Sequence, residues 1–145
     1  MNIILSGLAA ATLLMGLSTA SQAMESCPAA STITQDSAGI YTAKGEQGEW
    51  TSKTPVNKLN LGPNITFLNA TVLQADEKSP QELQKCIYKT QDGMSLDLYF
   101  ITTNKKEFTV NIQGASWKAE PGYFGSINNV CENTTPENCR FTIVQ

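Results

Sequence analysis

Leu83, Lys85, Ile87 and Lys89 alternate with Gln84, Cys86, Tyr88 and Thr90. After Asp92-Gly93 the same rhythm resumes, with Met94, Leu96, Leu98 and Phe100 set against Ser95, Asp97, Tyr99 and Ile101. A two-residue period is that of a half-buried strand, and Asp-Gly between two such runs supplies the residues a tight hairpin turn needs. A second turn at Asn104-Lys105-Lys106 leads into Phe108, Val110 and Ile112, which alternate with Thr109, Asn111 and Gln113. The three runs together predict a three-stranded meander.

Upstream, Ile40 to Ala43 is a short β-type run between Gly39 and Gly45. Residues 45–64, rich in Gly, Asn, Lys and Pro, read as a loop anchored by Trp50. Ile65 to Leu73 reads as the first long strand. Downstream come Ala115 to Lys118, a turn at Pro121-Gly122, Tyr123-Phe124, a loop flanked by cysteines, and a closing strand from Arg140 to Val144. Helical spacing is confined to Ser79–Lys85, where Ser79-Pro80 followed by Glu82 fits a single turn. Many short strands at regular spacing predict an all-β fold: a small antiparallel β-sandwich or barrel built on a meander, with at most one short helix.

The N-terminus has a different pattern. An apolar run from Ile3 to Leu17 carries no charged side chain and ends in Ser18-Thr19-Ala20-Ser21-Gln22-Ala23. Small residues at Ser21 and Ala23 suit signal-peptidase cleavage after Ala23, with Ala20 as second choice. The run is short of the roughly 20 apolar residues of a comfortable membrane span, although an uncleaved anchor is the competing reading. The expected organisation is a signal peptide, residues 1–23, and one domain, residues 24–145, working in the periplasm or outside the cell with no membrane span of its own.

A domain of about 120 residues holds only a modest core, so cross-links would help it. Four cysteines, Cys27, Cys86, Cys131 and Cys139, all lie beyond the predicted cut. An even number behind an export signal reads as two disulfides, and with no histidine and no C-x-x-C pair the usual metal-ligand pattern is missing. Sequence leaves three connectivities open. Cys131 with Cys139 is favoured because the residues between them are turn-forming, which leaves Cys27 to tie the start of the domain to Cys86. The formal charge is −3, and only Lys105-Lys106 adjoin among the basic residues, so no basic stripe for nucleic acid is present.

Candidate chemistry is sparse. Without histidine the common nucleophile–base pairs are unavailable, and no phosphate loop, nucleophile elbow or calcium loop matches. Asp76-Glu77, Glu132 and Glu137 fall in predicted loops, and Asp97 fits the solvent face of its hairpin. The sequence therefore reads as a non-enzyme with no cofactor. Three Asn-x-Thr sequons, at Asn64, Asn69 and Asn133, are read as incidental. Binding would fall to aromatics, for which Trp50, Tyr99, Trp117, Tyr123 and Phe124 are the candidates. Trp50, Trp117, Tyr123 and Phe124 are the proposed contact patch, although filling a small β core is the commoner role for any one aromatic.

Cys27-Pro28, Gly39-Ile40-Tyr41-Thr42-Ala43, Gly48-Glu49-Trp50, Cys86-Ile87-Tyr88, Asp92-Gly93, Leu96-Asp97-Leu98 and Cys139-Arg140-Phe141 occur in one order. In this the chain resembles a family of small exported bacterial proteins classed as a domain of unknown function, to which EirA, a type IV secretion-associated protein of intracellular pathogens, is assigned. The resemblance implies a periplasmic β domain that serves secretion or virulence through an envelope or host protein partner, without a reaction. Cys86 to Leu98 is also similar to the C-type lysozyme inhibitors, small β-barrels that insert a loop bearing Ser and Lys into the enzyme's cleft. Ser116-Trp117-Lys118 follows Gly114 here, but the longer inhibitory motif is absent. A carbohydrate-binding module using Trp50 or Trp117 is the third reading, and self-association into a homo-oligomer is left open.

Overall fold

Two antiparallel sheets take up all the strands among the described residues, 23–55 and 64–145 of a computed structural model. The predicted signal segment up to Gln22 and residues 56–63 of the predicted loop lie outside them. The strands are β1 (Met24–Ser26), β2 (Thr34–Gln35), β3 (Tyr41–Lys44), β4 (Gly48–Thr51), β5 (Thr66–Gln74), β6 (Glu82–Lys89), β7 (Ser95–Thr102), β8 (Thr109–Gln113), β9 (Trp117–Pro121), β10 (Ile127–Glu132) and β11 (Arg140–Val144). The larger sheet runs β2-β3-β4-β7-β6-β5-β10-β9 and the smaller one β1-β11-β8. The helical content of the described residues is three single 3-10 turns. The fold is thus all-β and sandwich-like, with two disulfides.

The β6–β7 hairpin forms around Asp92-Gly93, with Cys86 opposite Leu98 and Tyr88 opposite Leu96. Alternation then sorts the side chains. Cys86, Tyr88, Leu96, Leu98 and Phe100 are buried, while Lys85, Asp97, Tyr99 and Ile101 lie on the other face. Asp97 is ion-paired there with Lys85 at 2.7 Å, as its predicted solvent-facing position allows.

The meander has a different third member from the one predicted. β8 does not extend the hairpin. It pairs with β11 in the smaller sheet, with Phe141 opposite Ile112, and β5 flanks β6 instead. The turn after β7 explains the departure. Thr102 accepts the Lys105 N–H at 2.9 Å, Lys105 takes a left-handed conformation, and the chain turns out of the larger sheet. An alternating pattern specifies which face of a strand is buried but not which strand lies beside it.

Two further expectations are corrected. Residues 48–51, read as loop, form β4, because Trp50 pairs with Phe100 and needs an inward-facing strand position to reach the core. Ser79–Lys85 is not a helical turn. Asp76 caps a turn by accepting the Lys78 N–H at 2.8 Å and the Ser79 hydroxyl at 2.9 Å, and β6 begins at Glu82.

The core lies between the sheets. Trp50 of β4 packs against Phe100 of β7 and Phe141 of β11, with ring centroids 5.1 and 6.2 Å away. Both disulfides join one sheet to the other. Cys27, just after β1, bonds Cys86 of β6, and Cys131 of β10 bonds Cys139, just before β11. These are the pairings that the turn-forming residues favoured. Each bridge closes an interface for which a core of this size supplies few contacts.

Candidate functional site

The β9–β10 hairpin carries the two most exposed large apolar side chains among the described residues. Tyr123 is 87% exposed and Phe124 fully so. Local backbone chemistry builds this tip. Gly122 donates its N–H to the Ser126 carbonyl at 2.8 Å, closing the hairpin, and Ser126 donates to the Tyr123 carbonyl at 3.1 Å. A side chain at position 122 would meet the Ser126 hydroxyl oxygen at 2.3 Å, so the tight closure leaves no room for one unless the Ser126 side chain turns away. Phe124 and Gly125 then both take positive φ, 56° and 78°. Glycine adopts that conformation freely, but for phenylalanine it costs about 1–2 kcal/mol.

The tip is also rigidly based. β9 pairs with β10 along its length, and β10 pairs with β5 from Ile127 to Glu132. Cys131 at the far end of β10 is locked to Cys139. An aromatic ring that stays in water forgoes roughly 2–3 kcal/mol of transfer free energy. Two adjacent rings held out on a strained turn therefore form a preorganised apolar contact, the kind of residue that anchors protein interfaces.

The other members of the predicted patch lie elsewhere. Trp50 is completely buried, which removes it from any contact surface; the interior of the sandwich requires its bulk. Trp117 is half-buried against the core, and its indole N–H donates to the Arg140 carbonyl at 3.0 Å, tying β9 to β11. The structure thus keeps Tyr123 and Phe124 together and separates Trp50 and Trp117 from them. Ser116-Trp117-Lys118 runs into strand β9 rather than forming a projecting loop.

Tyr99 faces outward on β7, and the Lys53 ammonium sits 4.1 Å from its ring centroid. This pair lines a groove of about 670 Å³ together with Glu82, Lys105, Lys106 and Glu107 among others. The same pair also lines a smaller groove of about 250 Å³ that includes Ser52 and Asp97. Positive and negative groups are mixed in the larger groove, so it has no single-sign field for a charged ligand. Among the described residues no cluster of three or more His, Cys, Asp or Glu side chains has the arrangement of a metal site. No helix among them is long and apolar enough to cross a membrane.

Sequence reasoning missed one residue that the fold uses. Glu25 is 2% exposed and accepts the Gln47 N–H. Burial raises its carboxyl pKa above the ordinary 4.5, against the opposing effect of that hydrogen bond. Nothing in the local pattern marks it, because β1 has only three residues.

Against known proteins, the model of a family described as a protein of unknown function (DUF3757) matches residues 20–142. No curated protein and no solved structure matches the chain.

Proposed function

We propose, for a chain that belongs to the DUF3757 family of proteins of unknown function, a non-enzymatic role in protein–protein contact outside the cytoplasm. The observation that carries this reading is the Tyr123–Phe124 pair, exposed on a strained hairpin tip that a disulfide-locked strand holds in place. Two disulfides fit an oxidising compartment, and the apolar run from Ile3 to Leu17 gives the export route. Association with a type IV secretion system and virulence is the narrower form of the same reading, and its support is the sequence resemblance.

The experiment is site-specific photo-cross-linking in the native cell, with a photoreactive phenylalanine analogue at position 124 and a control at position 78. We expect one discrete adduct from position 124, absent from the control and lost on Tyr123→Ser. Envelope secretion components in that adduct would support the narrower reading, and a host hydrolase would select an inhibitory role. The absence of any specific adduct from position 124 would overturn the contact reading.

A further inference from the structure

β9 is an outer strand of the larger sheet, paired on one side with β10. The direction of its backbone groups follows from the hairpin closure. Gly122 and Ser126 are a hydrogen-bonded pair, and Glu120–Asn128 and Lys118–Val130 lie two and four residues along the same register. Hydrogen-bonded pairs alternate along an antiparallel ladder, so Lys118 and Glu120 direct their backbone groups toward β10. Trp117, Ala119 and Pro121 direct theirs away from it.

We propose that this edge pairs antiparallel with β9 of a second copy of the chain, centred on Ala119. Three features of the five residues fit that register. The outward N–H and C=O of Ala119 would meet those of Ala119 in the second copy, giving two hydrogen bonds across the twofold axis. Trp117 would donate its N–H to the carbonyl of Pro121 in the second copy, twice by symmetry, and Pro121, which has no N–H, would stand where the edge spends an acceptor. Lys118 would lie directly opposite Glu120 of the second copy on the outer face, again twice. Lys118, Ala119 and Glu120 are all exposed, so no side chain need move for a strand to approach.

A lysine on an edge strand ordinarily discourages pairing. Here the glutamate two residues on turns that charge into a register-specific attraction, because a shift of the register by two residues would lose both pairs and set two like charges opposite one another. Four main-chain bonds and two ion pairs over five residues make a small interface, so the pairing is concentration-dependent rather than obligate. The two hairpin tips would then sit at opposite ends of the paired strands. This inference is independent of what the tips contact.

The test is sedimentation velocity of the purified, disulfide-intact protein over a dilution series, with Lys118→Glu and Glu120→Lys as separate variants. The wild type should shift from monomer to dimer as concentration rises. Each single variant sets like charges opposite one another twice and should stay monomeric at concentrations where the wild type is at least half dimeric. An equimolar mixture of the two variants restores both opposite-charge pairs and should recover the dimer. A wild type that remains monomeric up to millimolar concentration would overturn the proposal. So would variants that dimerise as well as the wild type, or a mixture that stays monomeric.

Discussion

Gln47 donates its backbone N–H to the Glu25 carboxylate across 22 residues of chain, pinning β1 of the smaller sheet to the β3–β4 turn of the larger. A Cβ on Gly45 would lie 2.8 Å from the same carboxylate, so the turn closes over it tightly. Like the two disulfides and the Trp117–Arg140 bond, this contact ties one sheet to the other, and it does so through a carboxylate that titrates.

Glu25 should make stability fall as pH rises. Burial holds its folded pKa above 4.5, so between 4.5 and the raised value the folded protein binds more protons than the unfolded chain. Raising the pH through that window removes the proton at a cost the unfolded state does not bear. Urea unfolding of the wild type and Glu25→Gln from pH 4.5 to 7.5 should show the wild type losing ground to the variant as pH rises. A difference between the two that is constant over that range would refute this account.

The disulfides should contribute unequally. Cys27–Cys86 spans 59 residues and Cys131–Cys139 only 8. Chain-entropy scaling gives about 4 kcal/mol for the longer loop and about 2.5 kcal/mol for the shorter. Guanidinium titrations of the paired alanine variants, Cys27→Ala/Cys86→Ala against Cys131→Ala/Cys139→Ala, should rank them in that order.

Trp50→Ala should cost about 3–5 kcal/mol, because it empties the space between Phe100 and Phe141 where the sheets meet. A thermal melt would read this as a large drop in Tm. Loss of stability comparable to that of an exposed-site substitution would mean that the aromatic cluster is not the joint between the sheets.

Phe124→Gly should do the opposite. It relieves a left-handed phenylalanine and removes a ring that packs on nothing in the monomer, so stability should rise by about 1 kcal/mol. With the photoreactive residue moved to position 123, the same variant should lose the cross-linked partner, since stability withheld at a contact site is a common cost of function. A destabilised variant would show that the tip supports the fold instead.

Much of the architecture was legible in the residues. The alternation of Leu83 to Ile101 around Asp92-Gly93 marked the central hairpin, and Asp97 marked the outer face of its second strand. The turn-forming residues between Cys131 and Cys139 pointed to their pairing. The contact patch was legible only in part. Tyr123 and Phe124 were visible as aromatics beside a Pro-Gly turn, but Trp50 and Trp117 looked no different from them, because an aromatic side chain suits a core and an interface equally well.

The sequence by itself determined the local geometry: which residues alternate, where the chain turns, and that four cysteines had to be covalently paired or reactive. These follow from φ/ψ preferences and side-chain period, which act over a few residues. Only the tertiary structure decided that β8 joins β11 rather than β7, that Glu25 is buried under the Gly45 turn, and that β9 is left at an edge. Each of those depends on contacts between residues far apart in the chain, where loop closure and the packing of two sheets set the partner.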